Sequence, residues 1–257
     1  MSELLASIVI AIVQGLTEWL PVSSSGHLVV FERLLSYQGG LMFDVALHFG
    51  TLMAVFVYFG KDIVDIVKEV VTGRWGSENG RLGLLIIVAT IPAAIVGFLL
   101  KDIFEQVFTS LSITAFGFAI TGVFLLIAGM SKEKIGRLGY GGSLLIGFAQ
   151  IFALFPGISR SGSTIGAGYL LGLKEKQAIK FSFLISIPII FGANILAIGN
   201  QRLPPELIWA TLVSFIVGLG TIHLLYGKML VSRKNLKWFA AYALLLAVGI
   251  GVWLVFS

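Results

Sequence analysis

The chain has 257 residues, of which 57% are apolar and only 12% charged, and its mean hydropathy is +0.99. A soluble domain carries about 25% charged residues, so too little polar surface remains to cover a globule in water, and an ordinary soluble enzyme, a disordered tail and a secreted mini-protein are all excluded. The net charge of +5 reads as loop Lys and Arg facing an anionic membrane leaflet rather than a nucleic-acid surface, and the lack of cysteine removes disulfides, thiolate nucleophiles and Cys metal sites.

The first apolar run covers residues 4–35 and is interrupted near its middle by PVSSSGH. It carries no basic leader and contains Gln14 and Glu18, which argues against a signal peptide. Three unbroken spans follow, at about 41–59, 82–100 and 112–130. A second broken run, 143–173, is split by PGISRSGS. Three more spans close the chain, at about 181–199, 207–226 and 238–256. Each broken run falls into arms of roughly 12–17 residues, short for a crossing that needs about 20. Such arms suit a re-entrant helical hairpin, whose bent backbone must be satisfied by protein or by a polar cavity. Barrel strands would alternate apolar and polar residues, a weaker signal than these unbroken runs. The expected fold is therefore an all-α polytopic membrane protein with six full transmembrane helices and two re-entrant hairpins.

Charge placement supports that topology. If each broken run returns to its own side, one face collects Lys61, Lys68, Arg74, Arg81, Lys132, Lys134, Arg137, Lys174, Lys176, Lys180, Lys228, Arg233, Lys234 and Lys237, 14 of the 18 basic residues. Arg33, Lys101 and Arg202 fall on the other face, and Arg160 alone lies inside a membrane segment. A single crossing by the second run would divide the charges almost evenly. The positive-inside rule makes the basic face cytoplasmic and leaves both termini outside. A shift of 136 residues also aligns Gln14 with Gln150, Ser23 with Ser159, Ser25 with Ser161 and Gly26 with Gly162. Each half has one broken run and then three spans. The reading is one integral membrane domain over 1–257, with repeat halves of about 1–136 and 137–257 in inverted orientation. That architecture places a polar site near the bilayer midplane.

Chemistry concentrates at the two breaks. In the first, Gln14 and Glu18 are four residues apart and share a helix face. Pro21 stops the first arm, and Ser23, Ser24 or Ser25 can cap the second, whose free amides favour an anion. His27 lies one turn further. In the second break Pro156 and Gly157 stop the helix, and Ser159 or Ser161 can cap the next arm. Arg160 at membrane depth costs about 2.5–3.5 kcal/mol on insertion scales and demands a partner. The bland alternative is a permanent Arg160–Glu18 pair; the functional one is a guanidinium fork facing phosphate. A carboxylate beside a bound anion implies a bridging divalent cation, and Mg²⁺ takes one or two carboxylates plus substrate phosphates. His48, His223, Asn194 and Gln150 read as hydrogen bonders between helices.

QGLTEWLPVSSSGHL and PGISRSGSTI resemble the two signature motifs of the undecaprenyl-diphosphate phosphatase family, also known as bacitracin-resistance proteins. Gln14, Glu18 and His27 match the (E/Q)xxxE…H pattern. Pro156, Gly157, Ser159, Arg160, Ser161 and Thr164 match PGxSRSxxT. VALHFGTLMAVFVYF and KFSFLISIPIIFGA extend the likeness over nearly the whole chain. Some members carry Glu where this chain has Gln14, so a metal site here has one carboxylate fewer. The resemblance implies hydrolysis of undecaprenyl diphosphate to undecaprenyl phosphate and inorganic phosphate, recycling a cell-wall lipid carrier and giving bacitracin resistance. It also implies a Mg²⁺ or Ca²⁺ requirement, a plasma-membrane location and a site open to the outer face.

In that reaction Arg160 and the amides of Ser159, Ser161 and Gly162 would hold the diphosphate, with Ser23, Ser25, Gly26 and Thr164 completing the binding site. Glu18, helped by Gln14, would hold the metal. Ser24 is the favoured nucleophile, with His27 as base or acid, while attack by His27 or by water stays open. The expected partners are a polyprenyl diphosphate lipid and the bilayer, with no nucleic acid and with oligomeric state left open. A rival reading is a transporter or flippase of an anionic polyprenyl phosphate, since inverted repeats also build transporters. A type 2 phosphatidic-acid phosphatase is disfavoured, because the chain has no Arg-Pro dipeptide and Gly166 stands where that family's histidine would be.

Overall fold

The computed structural model describes residues 2–134, 137–198, 207–228 and 231–256, and every regular element among them is helical. Helices Glu3–Thr17 (α1) and Ser24–Leu35 (α2) are the arms of the first broken run. Gly40–Tyr58 (α3), Glu78–Leu99 (α5) and Leu111–Gly129 (α7) are long apolar helices, with Gly60–Val71 (α4) and Lys101–Phe108 (α6) between them. Tyr140–Phe152 (α8) and Arg160–Leu170 (α9) are the arms of the second broken run. Glu175–Ile198 (α10), Ile208–Ile222 (α11, continued by a π turn at His223–Gly227) and Leu236–Phe256 (α12) complete the chain.

Six helices are long and apolar enough to cross a membrane, and they coincide with the six spans expected from hydropathy to within a few residues. Gly199 and Arg202 lie outside the described residues. The four arms have 15, 12, 13 and 11 residues. At 1.5 Å per residue none reaches the roughly 30 Å of a hydrocarbon core. The ends of each broken run are neighbours. Lys134 N donates to Gly172 O at 3.0 Å across the second run, and Glu3 lines one hollow with Ser36, Tyr37 and Gln38 across the first.

Local chemistry sets the boundaries. Ser2, Ser77 and Ser110 cap α1, α5 and α7 by accepting the amide three residues on. Hydropathy marks no span over α4, because Lys61, Asp62, Asp65, Lys68 and Glu69 interrupt its apolar residues. The helix is amphipathic, with Ile66 buried toward α5 while Val64, Val67 and Val71 stay exposed.

The helices pack as α7 on α12, α3 on α11, α5 on α8, α1 on α11, and α10 against α3 and α5. In lipid the driving force is close packing and interhelical hydrogen bonding. Accordingly Ser143 on α8 donates to Leu85 O on α5 at 2.5 Å, and Ser214 on α11 donates to Leu47 O on α3 at 2.9 Å. Large apolar side chains such as Phe116, Leu245 and Val255 point outward. In water so much exposed apolar surface would drive association; in a bilayer it faces its own solvent.

Candidate functional site

The first break, residues 18–23, lies against the second, residues 153–159. A Cβ on Gly26 would come within 2.9 Å of Gly157 Cα, and one on Gly162 within 3.4 Å of Pro21 Cβ. Under the 136-residue shift these contacts exchange, so each break packs its glycine on the other's turn. Ser23 and Ser159 are the N-caps of α2 and α9, accepting from Gly26 N at 3.2 Å and Gly162 N at 3.0 Å. Each cap also pairs with the serine two residues on, Ser23 with Ser25 and Ser159 with Ser161, both at 3.2 Å. Ser161 Oγ then donates to Leu20 O at 2.6 Å, tying the second arm to the first turn.

Non-helical backbone at this depth needs internal partners. Thr121 of α7 supplies them at the second break, donating to Gly157 O at 2.9 Å and accepting from Ser159 N at 3.0 Å. The amides of Ser24 and Ser25, and those of Arg160 and Ser161, find no partner among the described residues. Two helix N-termini therefore converge with open donors, the arrangement that favours an anion.

Glu18 sits between them. Its side chain is 5% exposed and that of Arg160 is 13% exposed. Arg160 Nη2 donates to Glu18 Oε1 at 2.6 Å, and Ser24 Oγ and Gln14 Nε2 donate to Oε2 at 2.6 and 3.0 Å. The guanidinium also lies over the Trp19 ring, 5.4 Å from its centroid. The partner that a buried Arg160 demanded is thus Glu18, supplied by the other half of the chain. A carboxylate with three donors and a guanidinium with a carboxylate and a ring face are each compensated, which makes the burial tolerable.

Of the remaining expected site residues, His27 stands apart from this carboxylate. Its Nδ1 contacts Ser23 O at 2.6 Å, and its Nε2 contacts the Tyr242 hydroxyl of α12 at 2.7 Å. A carbonyl only accepts, so Nδ1 carries the proton and Nε2 accepts from Tyr242. The group touching the Ser24 hydroxyl is Glu18, not His27. Thr164 lies a turn along α9, donating to Arg160 O at 2.9 Å and paired with Ser182 Oγ of α10 at 2.6 Å. Gly26 and Gly162 serve the close approach of the two breaks.

The structure adds His48 to the cluster. Read as a bonder between helices, its Nδ1 instead donates to Asp44 O of its own helix at 2.8 Å, and its Nε2 lies 3.6 Å from Glu18 Oε2. Gln150 and Asn194 do not bond between helices either; both Gln150 amide atoms and Asn194 Nδ2 are buried without a partner. His223 packs its ring against Tyr58. Thr121, Tyr242 and Ser182 were not legible, because each acts through a contact distant in sequence. The one available signal for His48 was an imidazole in the first span after the acidic break.

Fold and site together define a multi-pass helical membrane protein with a buried, charge-paired centre suited to a phosphate-type anion. Residues 7–249 match the family model described as Bacitracin resistance protein BacA, and the chain belongs to that family. It is 42% identical over 243 residues to an undecaprenyl-diphosphatase of Thermosipho melanesiensis, covering 94% of this chain and 96% of the relative. It is likewise 40% identical over 263 residues to an undecaprenyl-diphosphatase of Rubrobacter xylanophilus, covering 96% and 97%. One of Caldicellulosiruptor bescii is 42% identical over 255 residues, covering 94% of each.

Proposed function

We propose that this chain is a membrane phosphatase that hydrolyses undecaprenyl diphosphate to undecaprenyl phosphate and inorganic phosphate, conferring bacitracin resistance by recycling the lipid carrier. The observation that carries the reading is Glu18, which holds Ser24 on one oxygen and Arg160 on the other where two helix N-termini meet.

Phosphoryl transfer needs chiefly positioning and neutralised charge. Arg160 is held by Nη2 on Glu18 Oε1 and by a long Nη1 contact to Ser182 O at 3.5 Å, and an anion bound at the Ser24, Ser25, Arg160 and Ser161 amides would draw Nη1 to itself. Ser24 Oγ attacks the terminal phosphorus, its proton passes to Glu18, and the bond to the bridging oxygen breaks to release the lipid monophosphate. Glu18 gives that proton to the departing phosphate; water then attacks the phosphoserine, Glu18 taking a proton from the water and returning it to Ser24 Oγ as inorganic phosphate leaves. His27 acts through the Ser23 carbonyl, holding the turn that presents Ser24.

The donor set fits a divalent cation. Gln14 Oε1 is a buried carbonyl oxygen without a donor. An ionised carboxylate has about four acceptor positions, of which Arg160, Ser24 and Gln14 take three on Glu18. Glu18 and Gln14 would hold Mg²⁺ or Ca²⁺, and the ion would neutralise charge on the diphosphate.

The paired ends of each broken run favour re-entrant hairpins. An inverted repeat is supported by the shift: it carries α2 onto α9 at Arg160, matches the two Ser–Ser caps, and exchanges the pairs α1–α11 and α5–α8. In that topology the basic loops are cytoplasmic, both termini lie outside and the site opens to the outer face of the plasma membrane. The test is phosphate release from undecaprenyl diphosphate by purified protein, with Mg²⁺, Ca²⁺ or EDTA, beside Arg160→Ala. Metal-dependent release lowered by about 3 kcal/mol or more of transition-state stabilisation is expected, a magnitude like that of one oxyanion donor. Release at the wild-type rate in the variant would remove Arg160 from its role, and no release at all would return the transporter reading.

A further inference from the structure

We propose that His48 is a protein ligand of the divalent-cation site, through Nε2, and that it completes with Glu18 and Gln14 a set of one carboxylate, one amide oxygen and one imidazole. The inference rests on the phosphatase reading only in taking a cation to work at this centre.

His48 Nδ1 lies 2.8 Å from Asp44 O, the carbonyl one turn earlier on α3. Since that oxygen can only accept, Nδ1 carries the proton, and the neutral ring has its lone pair on Nε2. A metal-bound histidine characteristically has this arrangement, with one ring nitrogen held by a backbone carbonyl and the other free to bind. The free nitrogen is aimed at Glu18 Oε2 across 3.6 Å. A charge-assisted hydrogen bond between imidazolium and carboxylate closes to about 2.7–2.9 Å. At 3.6 Å the two atoms are beyond hydrogen-bond distance, so Nε2 has no hydrogen-bond partner among the described residues.

A second atom without a partner belongs to a side chain bonded to the same carboxylate oxygen. Gln14 is wholly buried, its Nε2 is fixed on Glu18 Oε2 at 3.0 Å, and its Oε1 has no donor. A buried carbonyl oxygen without a donor is destabilising, and a bound cation would remove that cost. The other histidine near the break offers no lone pair, because Ser23 O and the Tyr242 hydroxyl occupy both nitrogens of His27. Among the described residues no group of three or more His, Cys, Asp or Glu gathers as a metal cluster. The site therefore depends on the amide oxygen as well as on Glu18 and His48.

Ligand chemistry gives the expected selectivity. Mn²⁺ also prefers oxygen donors, but as a first-row ion it gains more from one added imidazole than Ca²⁺, which takes oxygen ligands. His48→Gln should therefore lower Mn²⁺ affinity about tenfold or more, the range seen when support to a metal ligand is lost, while Ca²⁺ affinity changes less.

The experiment uses the full chain in detergent, labelled with ¹⁵N-histidine, and Mn²⁺ alone as the probe. Pulsed EPR of the bound ion should show coupling to one directly bound histidine nitrogen in the wild type and none in His48→Gln or His48→Leu. Metal-free thermal unfolding of His48→Gln within a few degrees of wild type shows that the variant folds. Bound Mn²⁺ without histidine coupling, or coupling that survives in both variants, overturns the role of His48 and leaves the phosphatase reading intact. Failure of the wild type to bind Mn²⁺ also overturns it, and phosphate release then judges the phosphatase reading separately.

Discussion

The two breaks share one scaffold and divide the chemistry. Both start a helix on a serine cap, pair that serine with another two residues on, and lay a glycine on the opposite turn. At the position after the cap, however, the first has Ser24 and the second Arg160. Glu18, which belongs to the first break only, bonds to both. A two-fold arrangement of helix N-termini supplies positive potential from either side, and single substitutions then make one side nucleophilic and the other a cationic clamp.

The largest effects should come from the link between the two. Removing either Arg160 or Glu18 alone leaves an uncompensated buried charge, which costs about 3–5 kcal/mol. Arg160→Gln and Glu18→Gln should each lower unfolding stability by about that amount. The double variant Glu18→Gln with Arg160→Gln should recover much of it while releasing no phosphate. A double variant as unstable as the sum of the two singles would mean that the pair is not coupled. Next in size is the asymmetry at the position after the cap. Ser24→Ala should cut turnover by a factor of about 10³ or more, as loss of a nucleophile does, and should abolish any acid-trapped phosphoenzyme. His27→Gln should reduce turnover less and still accumulate that intermediate. Near-wild-type turnover in Ser24→Ala would transfer the attack to water or to His27.

The legibility of these features follows from what each depends on. The six spans were readable because lipid selects long apolar runs irrespective of neighbours, and the arms of the breaks because Pro21, Pro156 and the capping serines act locally. The convergence of Glu18 with Arg160 was readable only as a demand, since a buried guanidinium requires a partner without naming it. By contrast α4 was hidden because Lys61, Asp62, Asp65, Lys68 and Glu69 lower its average hydropathy while its apolar face persists at helical spacing. His48 is a single histidine in its span, and an imidazole there gives no local sign of what its far nitrogen meets.

Thr121 tests how the second break tolerates its bend. Its hydroxyl satisfies both Gly157 O and Ser159 N. Thr121→Val keeps the shape and removes both bonds, leaving a buried carbonyl and a buried amide. Each such loss costs about 1–3 kcal/mol, so a loss of about 2–6 kcal/mol in unfolding stability is expected, with the centre's activity falling in parallel.

The smallest effect concerns backbone conformation at the caps, and there the breaks should respond with opposite sign. Ser23 adopts φ 66 and ψ 97, whereas Ser159 adopts φ −74 and ψ 119, because the second break places its left-handed turn on Gly157 at φ 86. A non-glycine residue held at such a φ stores about 1–3 kcal/mol, and replacing a serine cap by glycine costs only a few tenths. Ser23→Gly should therefore leave unfolding stability unchanged or raise it by about 1 kcal/mol. Ser159→Gly relieves nothing, adds unfolded-state freedom, and should lower stability by about 0.5–1 kcal/mol. Turnover should move the other way at Ser23: a relaxed turn no longer fixes Ser24 on Glu18, so a more stable but slower enzyme is the expected outcome. Equal shifts in stability at the two caps would show that the strain at Ser23 is not stored for the first break's chemistry.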